Sequence, residues 1–348
     1  MAKPPIENLP IIDISPFLDP ECPAALQDLA ARDIGYACQQ YGFFYVKGHG
    51  IPNEKLDQII ALAREFFSLP MEEKEKIKRY DAGGPEGGDG ARGYQGMGEN
   101  ITDGKRDVQE AVDFYREWGE DSDAEKNGPP FKTLHGPNLW PEKPEVIKPV
   151  YLDYIEKVKA IGKILVRAMG MALELPPSME GATQESEDRE IFVRNTDRCF
   201  WVMRLIGYPP LENQVGSREE GDIEEFSCGA HTDYGCLTLL LSDPTPSALQ
   251  VQLRDGTWMN ADPIKGAFVI NIGDMIERWT NGVWKSTRHR VIHRGNNYRV
   301  SVPFFFEPNF DAVVKPLGEC VQMTGGESLY EKTTYGKHLL GKVFGNFI

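Results

Sequence analysis

The sequence predicts an α+β fold: a double-stranded β-helix, or jelly roll, buttressed by helices and preceded by an N-terminal helical region. Three observations predict it. Apolar residues recur at helical spacing through most of the first 175 positions. After Pro176 the texture changes to short runs rich in Val, Ile, Phe, Tyr and Leu, separated by turn signals such as Asp255-Gly256, Asn281-Gly282 and Gly295-Asn296-Asn297. Between these halves there is no composition break or flexible linker, so 1–348 is expected to be a single domain. Within it, 1–175 is the mainly helical region with short strands, 195–310 the jelly-roll core and 311–348 a C-terminal helical and loop segment.

In order, Leu9–Ser15 alternates and reads as a short strand. A helix is predicted over Ala24–Tyr41, with Leu26, Leu29, Ile34, Ala37, Cys38 and Tyr41 forming its stripe. Gly42–Val46 is a β-rich burst ending at a Gly-bounded turn that holds His49. Asn53–Ser68 is a second amphipathic helix capped by Asn53. The Gly-rich stretch at 83–98 contains a literal G-x-G-x-x-G, but without a preceding strand or a following amphipathic helix it is not a dinucleotide site. It reads equally as an active-site lid or as a surface insertion. Asp107–Trp118 is compatible with strand or helix. The clearest helix spans Val150–Leu175, where Leu152, Ile155, Val158, Ile161, Leu165, Ala168, Met169 and Ala172 recur at three and four. The runs Phe200–Tyr208, Cys236–Leu241, Leu249–Leu253, Ala267–Ile272 and Tyr298–Phe306 supply the jelly-roll strands.

Composition narrows the partners. A balance of 38 basic to 53 acidic residues, −15 net, has the wrong sign for gripping a phosphate backbone, so nucleic acid is not expected. No apolar run approaches the roughly 18 to 20 residues that span a bilayer. Six scattered cysteines without a C-x-x-C pair are expected to be reduced thiols. A cytoplasmic monomer acting on a small molecule is the expectation.

His231-Thr232-Asp233 stands ahead of an apolar run, and on a strand the two ligand-type side chains leave on one side and converge on one metal ion. A third ligand is required. His289 and His293 both lie on one side of an extended segment, and alternation leaves either open. The ordered set His231-Thr232-Asp233, Ser286-Thr287-Arg288-His289-Arg290-Val291 and Arg299-Val300-Ser301 resembles the iron(II)- and 2-oxoglutarate-dependent dioxygenases of the isopenicillin N synthase type. The resemblance extends to Tyr208-Pro209-Pro210, Asn271-Ile272-Gly273-Asp274, Pro10-Ile11-Ile12-Asp13 and Gly42-Phe43-Phe44, and so covers nearly the whole chain.

It implies His289 as the third ligand, with Fe(II), 2-oxoglutarate and dioxygen as requirements and ascorbate as a reductant. Two imidazoles and one carboxylate on one face of an octahedral ion leave three positions open. The far carboxylate of 2-oxoglutarate then falls to Arg299, a planar fork of donors, and Ser301, with Tyr208 adding a hydroxyl. The activity implied is oxidation of an unactivated C–H bond in a small, specialised metabolite, by hydroxylation, desaturation or ring closure, with release of succinate and CO2. An iron oxidase drawing on another reductant, or a non-catalytic ligand-binding protein, are the other readings of such a scaffold.

For the substrate side, alternation places Phe305 and Glu307 on the face of Arg299 and Ser301, as candidates for the pocket wall. Arg204, four before Tyr208, shares its strand face and reads either as a carboxylate binder or as half of a buried ion pair. Ile206 stands where the family more often has asparagine. Tyr94, and more weakly Tyr115 and Arg116, are further substrate-facing candidates by resemblance.

Overall fold

The computed structural model describes residues 8–80, 91–102, 104–117, 134, 137–177, 180–211 and 226–346. The predicted lid at 83–98 therefore lies partly outside the described residues. Its described end, Gly93–Gln95, is a strand.

Fourteen strands frame the site: β1 Ile11–Asp13, β2 Phe43–Lys47, β3 Gly93–Gln95, β4 Ile101–Thr102, β5 Lys105–Arg106, β6 Glu110–Tyr115, β7 Trp201–Tyr208, β8 Cys228–His231, β9 Leu237–Ser242, β10 Leu249–Gln252, β11 Trp258–Asn260, β12 Phe268–Ile272, β13 His289–Val291 and β14 Arg299–Phe306. Eight of them form one sheet in the order β1-β2-β12-β9-β14-β7-β6-β3, and four form a second, β11-β10-β13-β8. Only β1 and β2 pair in parallel; the remaining pairs within the two sheets are antiparallel. The larger sheet draws four strands from the first 115 residues, so the N-terminal region contributes to the sheet as well as buttressing it. The ambiguous Asp107–Trp118 segment resolves to β6, because Ala111, Asp113 and Tyr115 lie against the inward residues of β7 while Val112 and Phe114 enter the core beneath the helices.

Alternation along β14 divides the molecule into two interiors. Val300, Val302, Phe304 and Phe306 face the helices and join the main apolar core. Arg299, Ser301 and Phe305 face the space between the sheets, where Phe43, Tyr45, Ile206, Tyr208, Leu249, Val251 and Val291 make a second, smaller apolar cluster. The long helix Ile147–Ala172 covers the outer face, with Tyr151, Tyr154, Ile155, Val158, Ile161 and Leu165 buried. Leu152 of the predicted stripe is 43% exposed, as are Leu26 and Leu29 of the first helix at 47% and 54%. At these positions the helices rest on the sheet with a narrower face than the apolar spacing suggested. Asn53 opens its helix without making a side-chain cap, the cap position being held by Pro52.

Gly162 marks a close approach of the long helix to the larger sheet. A Cβ there would lie 2.5 Å from the buried ring of Phe306. Gly162→Ala gains about 1 kcal/mol in helix propensity but overpacks the core at a cost of about 1–3 kcal/mol. The net effect is destabilising, and the thermal unfolding midpoint should fall by several degrees relative to the parent chain.

Candidate metal centre and anion pocket

Within the smaller sheet β8 pairs with β13, and this register sets His289 directly opposite His231. Their ring centroids are 4.4 Å apart. Strand β8 ends at His231, and Asp233 sits in the turn that follows. A turn, rather than the strand alternation expected from sequence, therefore brings it beside the histidines. Asp233 Oδ1 is 3.7 Å from Nε2 of each imidazole. The ligand atoms all lie within 4.8 Å of one another, the only such group of three or more found among the described residues. His293, the alternative third ligand, turns away, with Nε2 bonded to the Asn297 carbonyl at 2.6 Å.

The surrounding contacts orient this trio for a cation. His231 Nδ1 lies 2.7 Å from the Gly229 carbonyl and His289 Nδ1 lies 3.1 Å from that of Thr287. Each carbonyl can only accept, so each Nδ1 carries a proton and each Nε2 is turned toward Asp233 as the ligand atom. Asp233 is divided in the same way: Oδ2 accepts from Asn271 Nδ2 at 2.6 Å and from the Thr238 hydroxyl, leaving Oδ1 toward the imidazoles. Burial alone would raise this carboxyl, yet the neighbouring imidazoles and the two hydrogen bonds hold it below the usual range. Burial and the nearby His231 lower His289 to about 4, which keeps it neutral. Burial also opposes a charge on His231, but the Cys228 sulfur and the Asp233 carboxylate push it up to about 10, so the metal-free trio holds one extra proton. Once a cation displaces that proton, two neutral imidazoles and an ionised carboxylate fit a divalent metal ion with positions left open. Sequence periodicity does not single out Thr238 or Asn271. The available signal is that each is a polar residue within an apolar run, Leu237–Leu241 and Phe268–Ile272.

On the inward face of β14 and β7 lies a second candidate site, built around a buried cation. Arg299 is 2% exposed, its guanidinium stands 4.8 Å over the Tyr208 ring, and its Nε and Nη1 are buried without a hydrogen-bond partner among the described residues. Such a buried cation is costly unless a ligand completes it, and a carboxylate matches its fork. Ser301 hydrogen-bonds the Tyr208 hydroxyl, which burial pushes up to about 12, so the phenol stays neutral and able to donate.

Arg204 is also on this face. Its Nε is 3.1 Å from Asp113 Oδ1, and its Nη2 donates to Asn100 Oδ1 at 2.6 Å, while Nη1 makes no hydrogen bond among the described residues. Gln95 donates to the other Asp113 oxygen. The segment carrying Asn100 is docked on the metal strand: Gly229 N donates to Asp107 Oδ1 at 2.9 Å, and Asp107 Oδ2 accepts from Thr102 at 2.7 Å. Of the two sequence alternatives for Arg204, the structure shows the buried ion pair. Phe305 lies opposite Thr238, which bonds Asp233, and is only partly buried on the same face.

Two substrate-facing candidates are corrected. Tyr94 is paired with Val112, so it points to the helix side; its hydroxyl donates to Glu110 at 2.6 Å and its ring lies against Phe66. One position of strand phase separates it from Gln95, which does face inward. Glu307 is 4% exposed and turned onto the turn behind Asp233, where Oε2 accepts from Cys236 N at 3.1 Å. Burial and the Asp233 charge push its carboxyl up to about 8. Of the weaker candidates, Tyr115 packs on Phe200 and beneath the Arg92 guanidinium, and Arg116 donates to the Arg198 carbonyl.

Comparison with known proteins identifies this arrangement. Residues 199–308 match the family described as the 2OG-Fe(II) oxygenase superfamily, and residues 9–143 match the N-terminal family of the non-haem dioxygenase in morphine synthesis. Homoarginine-6-hydroxylase of Glycine max is 41% identical over 348 residues, covering 98% of each chain, and that of Arabidopsis thaliana is 42% identical over 350 residues with the same coverage. Among solved structures, a full-length Neurospora crassa protein in complex with alpha-KG superposes with a TM-score of 0.76 at 27% identity, covering 97% of this chain and 96% of that one. The chain belongs to the 2OG-Fe(II) oxygenase superfamily, and it is an oxidoreductase that uses Fe(II), 2-oxoglutarate and dioxygen to oxidise a small molecule.

Proposed function

We propose that this oxygenase hydroxylates a small amino acid of the guanidino type, such as homoarginine, whose carboxylate rests on Arg204. The observation that carries this is the free Nη1 of Arg204, held on the inward face by Asp113 and Asn100. The activity named for the relatives at 41% and 42% identity supports the same substrate class. His231, Asp233 and His289 would hold Fe(II), which when bound supplies dioxygen activation coupled to decarboxylation of 2-oxoglutarate to succinate and CO2. Arg299, Ser301 and Tyr208 would anchor the far carboxylate of that cosubstrate, and Phe305 would close the wall beside the reacting carbon. The task of these side chains is to fix one C–H bond near the metal and to exclude water.

In the wider setting we assign the enzyme to the cytoplasm as a monomer acting on a specialised metabolite. Six free cysteines suit a reducing compartment, and the −15 charge disfavours nucleic acid. No helix among the described residues is long and apolar enough to cross a membrane.

Three measurements test this reading. Succinate formation should rise on adding L-homoarginine, less with L-arginine or L-lysine; a chain that turns over none of these is not an oxygenase of this substrate class. Asp233→Ala should abolish turnover and the visible charge-transfer absorption of the anaerobic Fe(II)–2-oxoglutarate mixture, so retention of that absorption would remove Asp233 from the ligand set. Arg299→Ala removes charge-assisted hydrogen bonds worth about 1.5–3 kcal/mol, so the 2-oxoglutarate KM should rise roughly tenfold or more. An unchanged cosubstrate KM would place the far carboxylate elsewhere.

A further inference from the structure

The turn that carries Asp233 is held from behind by the C-terminal helix Tyr335–Asn346. Tyr335, 1% exposed, hydrogen-bonds the Glu307 carboxyl, whose Oε2 accepts the Cys236 N–H at 3.1 Å. A Cβ on Gly235 would collide with that carboxyl, so Glu307 lies flat on the turn and occupies the space a side chain would need. One and two turns further along the helix, His338 and Lys342 stand 3.6 and 3.8 Å from Asp274, whose N–H donates to the Asp233 carbonyl at 2.8 Å. Lys342 also sits 5.4 Å over the Tyr234 ring. Each of these links ends on residues 233–236 or on the carboxylate of Asp274, whose own amide holds them.

Nothing in the chemistry of C–H oxidation requires a buried acid at Glu307, and its carboxyl is occupied by Cys236 and Tyr335 rather than open to a substrate. We propose that Glu307 and Tyr335 are positioning residues for iron: they lock the Tyr234–Cys236 turn so that Asp233 Oδ1 is presented to the metal, making Fe(II) affinity depend on the C-terminal helix. The inference rests on Asp233 being an iron ligand.

Anaerobic Fe(II) titration of the full-length apo chain, read by its charge-transfer absorption with saturating 2-oxoglutarate, tests it. Outer-shell partners of metal ligands typically change affinity tenfold to a hundredfold, so Tyr335→Phe should weaken Fe(II) binding by about tenfold and Glu307→Ala by more. Glu307→Gln should stay within about twofold of the parent, because its carbonyl can accept from Cys236 and its amide can donate to the Tyr335 oxygen. The 2-oxoglutarate half-saturation at saturating iron should not move in any of the three, since the Arg299 pocket is untouched. A lowered melting temperature with parental Fe(II) affinity in Tyr335→Phe would show a merely structural contact and overturn the proposal. So would a Glu307→Gln chain as weak for iron as Glu307→Ala. If Glu307→Ala does not fold, Tyr335→Phe alone decides. Failure of the unmodified chain to bind Fe(II) would instead overturn the ligand assignment itself.

Discussion

A buried, ionised carboxylate is the constraint on which the centre depends. Asp233 is 7% exposed, and a carboxylate at that depth costs several kcal/mol unless partners meet it. Two charge-assisted hydrogen bonds, worth roughly 1.5–3 kcal/mol each, come from Asn271 on β12 and Thr238 on β9. The facing imidazoles come from β8 and β13. Four strands from two sheets must therefore close in one register before the charge is tolerated. Both sheets are drawn to the same point for this reason.

The same pleat that supplies this closure separates stability from chemistry. On β14, alternate residues send Val300, Val302, Phe304 and Phe306 into the core under the helices, and Arg299, Ser301 and Phe305 into the space between the sheets. A one-residue slip would exchange the two sets, placing a guanidinium in the main core. The Phe306 ring seated on Gly162 opposes such a slip, because it fixes this strand against the long helix at a point with no room for a side chain. Packing on the outer face thus holds the polar inner face in phase. Nε and Nη1 of Arg299 can be left without a hydrogen-bond partner among the described residues because the apolar side of its strand bears the load of folding.

Charge is managed differently on the two sides of the metal trio. Toward β7 the guanidinium of Arg204 is stabilised by Asp113 and Asn100, yet keeps one donor free. Behind Asp233, Glu307 and Tyr335 are fully occupied with each other and with the backbone of the turn. The first environment leaves a donor unbonded among the described residues, and the second leaves the Glu307 carboxyl engaged. Both neighbour the same three side chains, which need an open approach on one side and rigidity on the other.

Much of this was legible in the order of residues alone. His231, Asp233, Arg299 and Ser301 sit in short local patterns whose chemistry follows from residue type and spacing, His289 and Tyr208 are singled out by the family resemblance, and alternation within one strand puts Arg299 and Ser301 on one face. Periodicity also found the long helix and most of the jelly-roll strands, because one-sided burial leaves a repeating trace. What it could not decide was phase and partnership between distant segments. Tyr94 and Gln95 are neighbours in sequence, and only the pairing of β3 with β6 shows which of them faces the site. Glu307 continues the alternation of β14 on paper, but the strand ends at Phe306 and the side chain turns onto Cys236 instead. Asn100, Asp107 and Asp113 had no local signal, since their roles arise from docking on β7 and β8 some ninety or more residues away. The sequence by itself determined which groups could bind iron and an anion. Tertiary structure decided which charges meet, because burial converts modest contacts between remote strands into requirements.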